Sequence, residues 1–240
     1  MNNTIENSLN DLVVRSFKTV YEMINDRKID TSYIDNITYN ELNEFIKNNE
    51  NYIEIKVKDN FLILYYLQKI DSKNIDIINK IILNFYNNNK TDNNKTDNNK
   101  TDNNKTDNNK TDNNKTDNNK TDNNKTDNNI ILITKDKIKT NNLKNILNYN
   151  LNKNIELFTI KELLFNPYRH ELVPKHEPIT DKKVINNLIK LYKLKNIHQF
   201  PLLLSKDPIC KYLNIPKNSL VKITRPSQTA GEYIMYRCVV

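Results

Sequence analysis

The sequence predicts an α+β chain of two domains, and three observations carry that prediction. Helical and strand periodicities alternate along the first 165 residues, as in a small sheet flanked by helices. The chain closes on two alternating segments joined across Gly231, the single glycine in 240 residues. Asn166-Pro167 separates these parts, and the length exceeds one typical domain. The division is therefore 1–165 and 166–240, the first part interrupted by an insertion at 87–129.

Within the first part, Leu9, Leu12, Val13, Phe17, Val20 and Ile24 recur at helical spacing, and Ser8 with Asp11 fits a capping box. A shorter helix follows Thr38, with Glu41 three residues on and Leu42, Phe45 and Ile46 along one face. A hairpin comes next: Tyr52–Lys58, the turn pair Asp59-Asn60, then Phe61–Gln68. Phe61–Leu67 is apolar on both faces and reads as an inner strand. Asp71 or Ser72 caps a helix with the stripe Ile75, Ile78, Ile82 and Phe85. Eight tandem copies of Lys-Thr-Asp-Asn-Asn then run from Lys90 to Asn129. A five-residue period fits neither helix nor strand and offers nothing to bury, so disorder is expected there. The strand Ile130–Ile133 follows at once, so the repeat is an insertion inside one domain and not an interdomain linker. A helix with Leu143, Ile146 and Leu147, a strand at Ile155–Phe158 and a short helix capped by Thr159 and Glu162 complete this part.

The second part holds two extended blocks. Glu171, Leu172, Val173, Pro174, Lys175 and His176 lead to a helix from Asp181 to about Lys193, with Val184, Ile185, Leu188, Leu191 and Tyr192 as its stripe. Pro174 and Pro178 hold the residues before them extended, which makes a stiff strip. A strand at Phe200–Leu204 leads to Asp207-Pro208, an N-cap with proline at the first helical position, and a short helix ending near Asn214. Val221 and Ile223 alternate with Lys222 and Thr224, and Ile234, Tyr236 and Cys238 alternate with Met235, Arg237 and Val239. Between these strands, Gly231 predicts a backbone angle closed to residues with a Cβ.

The run Glu171–His176 and the block Arg225–Arg237 (Arg-Pro-Ser-Gln-Thr-Ala-Gly-Glu-Tyr-Ile-Met-Tyr-Arg) resemble the C-terminal assembly domain of the fifth subunit shared by eukaryotic nuclear RNA polymerases I, II and III, a family with an archaeal polymerase counterpart. The resemblance covers about seventy residues closely and the preceding part by its order of elements. It departs from the family pattern at Lys175, where an acidic residue is expected, and at Glu232, where a basic one is. It implies a jaw-like N-terminal domain and a non-catalytic, nuclear role. The implied partners are the largest polymerase subunit, other polymerase subunits and downstream DNA, the last bound without sequence specificity. The partner-binding residues it points to are Glu171, Leu172, Val173, Pro174, His176, Arg225, Pro226, Gly231 and Arg237. Arg237 is the best candidate for a paired charge, because it interrupts an apolar strand. No cofactor or metal is implied.

Charge taken alone points elsewhere. The net charge is +8. Residues 166–240 hold 13 basic and 5 acidic side chains, against 10 and 13 in residues 1–86. Such a basic tail suggests contact with nucleic acid, so an independent basic nucleic-acid binder stands as one alternative. Lysine-rich surfaces also follow from composition, and the resemblance carries more weight. No run of about eighteen apolar residues exists to cross a membrane. The N-terminus lacks the basic and apolar regions of a signal peptide. Cys210 and Cys238, far apart and lone, suggest a reducing compartment.

Catalytic motifs are weak. Glu54 and Lys56, two apart on a strand, share a face, and acid-spacer-lysine is the metal-and-base element of many restriction-type nucleases. A metal-dependent nuclease is therefore a second alternative, but Asp30 and Asp35 make unconvincing partner carboxylates. The same residues suit the solvated face of an edge strand better. His170, His176, Cys210 and Cys238 lack metal-ligand spacing, and one glycine cannot build a phosphate loop. The thirteen tyrosines fall mostly at apolar-periodic positions, which suits core packing.

Overall fold

A computed structural model of the chain describes residues 2–35, 37, 41, 44, 51–58, 61–93, 129–150 and 154–240. It divides into two compact units, Ser32–Ile160 and the pair Met1–Thr31 with Lys161–Val240. The fold is α+β in both, as the sequence predicts. The sequence division after residue 165 leaves the first helix with the residues that follow it. Packing instead joins that helix to Lys161–Val240, for reasons its last turn supplies below. This helix, α1, spans Asn2–Asp26, so the Ser8–Asp11 pattern lies inside it and not at its start. Val13, Phe17, Val20, Met23 and Ile24 are its buried stripe.

In the unit Ser32–Ile160, strands β1 (Tyr52–Lys58), β2 (Phe61–Tyr66), β3 (Asn129–Thr134) and β4 (Asn154–Thr159) form one sheet in the order β1-β2-β3-β4. β1 runs antiparallel to β2, and the other pairs are parallel. Every residue of β2 is buried, the burial its two apolar faces predict. On one face, Leu62, Leu64, Tyr66, Ile130 and Leu132 pack with side chains of helices α2 (Ile75–Asn93) and α3 (Thr140–Tyr149). Burial of each aliphatic side chain there contributes about 1.5–3 kcal/mol. Asn150 closes the junction of the two helices, donating from Nδ2 to Asn79 Oδ1 at 2.9 Å and to the Ile146 carbonyl at 2.8 Å.

The parallel β2–β3 pair requires a crossover, and α2 supplies it. α2 continues through 87–93, residues that the sequence pattern assigns to the insertion. Once a helix is nucleated, each added residue closes another backbone hydrogen bond, so this extension is cheap. Of the expected helix after Thr38, Glu41 and Glu44 are described and helical; the rest of it, the Asp59-Asn60 turn and repeat residues 94–128 lie outside the described residues.

In the other unit, β5 (Lys175–Ile179), β6 (Leu202–Leu203), β7 (Leu220–Ser227) and β8 (Gly231–Val239) form a sheet in the order β5-β7-β8-β6. Alternation sends Val221, Ile223 and Val239 into a cluster with Cys210 and Ile215, beside helix α5 (Pro208–Tyr212). Their neighbours Leu220 and Cys238 enter a second cluster with Leu188 of helix α4 (Lys182–Leu191) and Phe200. Asp181 caps α4 by accepting from the Lys183 amide at 2.8 Å, and Asp207 caps α5 through the Ile209 amide at 2.9 Å. The buried face of α4 is Ile185, Leu188 and Ile189. Val184 and Leu191, expected on that face, are exposed. The expected strand at Phe200–Leu204 shortens to two residues, since Pro201 has no N–H to give a ladder.

Candidate functional site

Most of the sequence-predicted docking residues lie toward one end of the C-terminal sheet; Arg237, opposite Val221, lies elsewhere on it. β5 enters the sheet with Lys175 opposite Thr224, and His176 opposite Ile223. The β7–β8 hairpin runs on past that point, pairing Arg225 with Tyr233, Pro226 with Glu232 and Ser227 with Gly231. Glu171–Pro174 therefore arrives where the hairpin tip begins. Gly231 has φ +71°, the left-handed angle its uniqueness predicts. Glu171, Arg225, Pro226 and Gly231 are exposed, and Val173 and Pro174 are half-buried. Leu172 is 85% exposed and Tyr233 55%. Leu172, in the turn before β5, and Tyr233, on the paired strand β8, thus hold apolar side chains in solvent, where a partner's surface could cover them.

His176 differs from the others. It is buried, with Nδ1 2.6 Å from the Pro174 carbonyl oxygen, so its ring braces the Pro174 bend from inside. His170 does a similar job outside, Nδ1 accepting from the Leu172 amide at 3.2 Å. Arg237 stands opposite Val221 and reaches along the sheet, Nη1 donating to the Leu202 carbonyl at 3.3 Å. No carboxylate among the described residues pairs with it, and its Nε is buried without an acceptor.

At Lys175, Nζ lies 2.7 Å from Glu177 Oε1, while Lys222 Nζ lies 3.5 Å from Glu177 Oε2. The hydrogen bond from Lys175 holds the Glu177 carboxyl below its ordinary value. The same bond raises Lys175, with Glu232 a smaller contributor. Lys175 thus has its charge partner within its own edge strand.

One polar constellation has no signature in the sequence. The last turn of α1 grips the C-terminal residues: Asp26 Oδ2 accepts from the Tyr212 hydroxyl at 2.8 Å, and Asp26 Oδ1 lies 3.1 Å from Arg169 Nη2. Arg27 donates from Nε to the Tyr212 carbonyl at 2.7 Å and from Nη2 to the Lys211 carbonyl at 3.0 Å. A guanidinium there adds a charged donor to carbonyls at the end of α5, where helix ends leave acceptor capacity. Asn166 serves twice, its Oδ1 capping the Pro167–Arg169 turn and its Nδ2 donating to Glu22 Oε2 at 2.8 Å. Tyr168 stacks on Tyr212 with centroids 6.0 Å apart. Burial, with the Asp26 hydrogen bond second, drives the Tyr212 hydroxyl's pKa well up. Its partners lie up to 186 residues away in the chain, beyond any local pattern.

The catalytic alternatives receive little structural support. Glu54 and Lys56 lie exposed on edge strand β1, facing Leu64 and Leu62 across the ladder. Partial desolvation raises the Glu54 carboxyl above its ordinary value, and Lys56 opposes the shift. Among the described residues no group of three His, Cys, Asp or Glu is placed to hold a metal ion. Cys210 and Cys238 sit in separate apolar clusters, and burial pushes the Cys210 thiol up to about 11. The tyrosines divide: Tyr65, Tyr66 and Tyr212 are core, while Tyr33, Tyr149, Tyr192 and Tyr233 are exposed. No helix among the described residues is long and apolar enough to cross a membrane.

Comparison with known proteins falls on the same part of the chain. Residues 165–239 match the family model described as RNA polymerase Rpb5, C-terminal domain. Among relatives, DNA-directed RNA polymerases I, II, and III subunit rpabc1 of Dictyostelium discoideum is 42% identical over 86 residues, covering 36% of this chain and 43% of that protein. The RPABC1 subunit of Caenorhabditis elegans is 43% identical over 86 residues, 36% and 40% of the two chains. DNA-directed RNA polymerases IV and V subunit 5B of Arabidopsis thaliana is 33% identical over 110 residues, 46% and 49%. The matched part spans less than half the length of each relative.

Proposed function

We propose, from the match of residues 165–239 to the Rpb5 C-terminal family, that this chain is a subunit of DNA-directed RNA polymerases. It is a structural, non-catalytic component acting in the nucleus and shared by polymerases I, II and III. Residues 166–240 dock on the largest subunit, and residues 1–165 form part of the lower jaw beside downstream DNA. The mechanism is positional. A rigid wall narrows the cleft, and lysine or arginine side chains meet phosphates without reading sequence.

The observation that carries this reading is the coincidence of the family match with the exposed sheet end. Glu171, Leu172, Val173 and Pro174 lie there beside Arg225, Pro226 and Gly231, with His176 bracing the bend. Arg237, half-buried, gives its Nη1 to the Leu202 carbonyl of the same sheet.

Affinity purification of a tagged chain tests the proposal. Large polymerase subunits should co-purify in near-stoichiometric amounts, and Leu172→Asp with Arg225→Glu should deplete them while leaving the fold intact. Recovery of the chain free of any polymerase subunit sinks the reading. Metal-dependent DNA cleavage by the pure protein, abolished by Glu54→Ala, would replace it with the nuclease alternative.

A further inference from the structure

The unit of Met1–Thr31 with Lys161–Val240 holds a cavity of about 330 Å³ that the docking surface does not use. One wall is a stripe of α1, where Arg15, Lys18 and Glu22 follow at helical spacing and so point the same way. The other wall is the segment Leu164–Asn166. Its volume is at the small end for a binding cleft, enough for two or three side chains.

The charges in this cavity are unequally committed. Glu22 is engaged by Asn166 Nδ2 at 2.8 Å and by Arg169 Nη1 at 3.8 Å. Arg15 has one loose ion pair, 4.0 Å to Asp11, with both side chains more than half exposed, an arrangement that contributes little. Lys18 has no partner among the described residues. On the other wall Phe165 is 60% exposed, and Leu164 is half-buried. The cavity thus offers two available positive charges one turn apart and an aromatic seat.

We propose that this cavity is a docking site for an acidic peptide segment of another protein, with one or two Asp or Glu side chains on Lys18 and Arg15 and a neighbouring aliphatic or aromatic side chain on Phe165. Charge complementarity selects an anionic partner. The Glu22 carboxylate on the wall selects against a nucleic-acid strand, whose regularly spaced phosphates would meet it. The apolar seat selects a peptide over a small inorganic anion, and exposed aromatic residues beside arginine are the common anchors of protein interfaces. This inference does not depend on the polymerase assignment.

The test pans a display library of short random peptides against the full chain, with the Arg15→Glu/Lys18→Glu protein used for subtraction. Enriched sequences should place an acidic residue next to a large apolar one. The selected peptide should bind the double variant at least about tenfold more weakly, and Phe165→Ala should weaken it as well. Exchange of Lys137, outside the cavity, for Glu should leave binding unchanged. Circular dichroism and melting of each variant separate lost binding from lost folding. Enrichment of peptides without acid, binding to the double variant at wild-type strength, or no enrichment above the subtraction overturns the proposal. A deoxythymidine oligomer that binds the full chain more tightly than any selected peptide, and fails on the double variant, reassigns the site to nucleic acid and equally overturns it.

Discussion

Gly231 combines φ +71° with open space, since a Cβ built there meets nothing within 4 Å. The cost of replacing it is therefore backbone strain alone, without a steric term. Gly231→Asn should be mildest, because asparagine tolerates the left-handed region; Gly231→Ala should cost about 1–2 kcal/mol, and the β-branched Gly231→Val should reach about 1–3 kcal/mol. Chemical denaturation of the three proteins checks the order, and equal midpoints would contradict it. Polymerase co-purification should weaken in the same order, because the hairpin tip carries Arg225 and Pro226. At this scale the sequence is eloquent where one residue type has one use. A lone glycine between alternating segments gives the turn, and Asp207-Pro208 gives a helix start. It marks Arg237 as a candidate for a paired charge but not the Leu202 carbonyl it meets, because those neighbours are set by strand pairing and not by sequence.

Elements are legible where periodicity is strong. The inner strand β2 and the stripe of α2 are read directly from their apolar spacing, whereas of Leu143, Ile146 and Leu147, expected along one face of α3, only Ile146 is buried and Leu147 is 39% exposed. β5 shows in the sequence only as a stiff extended strip, because two prolines argue against a central strand; its place at a sheet edge resolves the conflict. The grip of α1 on the C-terminal residues cannot be read at all, for Asp26 and Arg27 look like ordinary polar residues at a helix end. Asp26 accepts from both Tyr212 and Arg169, and its side chain is only 15% exposed. Asp26→Ala should therefore destabilise the protein by about 1.5–3 kcal/mol, the range for hydrogen bonds involving a charged group. Arg169→Ala made alone and with Asp26→Ala completes a double-mutant cycle. The two losses should sum to more than the double variant loses, because each single change removes the same contact. Strict additivity in urea denaturation would show that the pair is uncoupled.

Across the whole molecule, residues 94–128 of the repeat lie between α2, which ends at Asn93, and β3, which begins at Asn129. Connections of this kind usually take 2–6 residues, so replacing residues 94–128 with a short glycine-serine linker preserves the β2–α2–β3 crossover. Loop-closure entropy then favours the shortened chain, by up to about 2 kcal/mol on the logarithmic length dependence. Its melting temperature should equal or exceed that of the full chain, with polymerase co-purification unchanged; a shortened protein that melts lower or fails to assemble would assign the repeat a structural task. The joining of Met1–Thr31 to Lys161–Val240 also bears on how the chain is made. Asp26 leaves the ribosome 186 residues before Tyr212, about 10–40 s at ordinary elongation rates. During translation the helix must wait with its polar end unclaimed while the intervening unit has time to fold, so a nascent chain arrested before Tyr212 should offer that helix to chaperones and proteases.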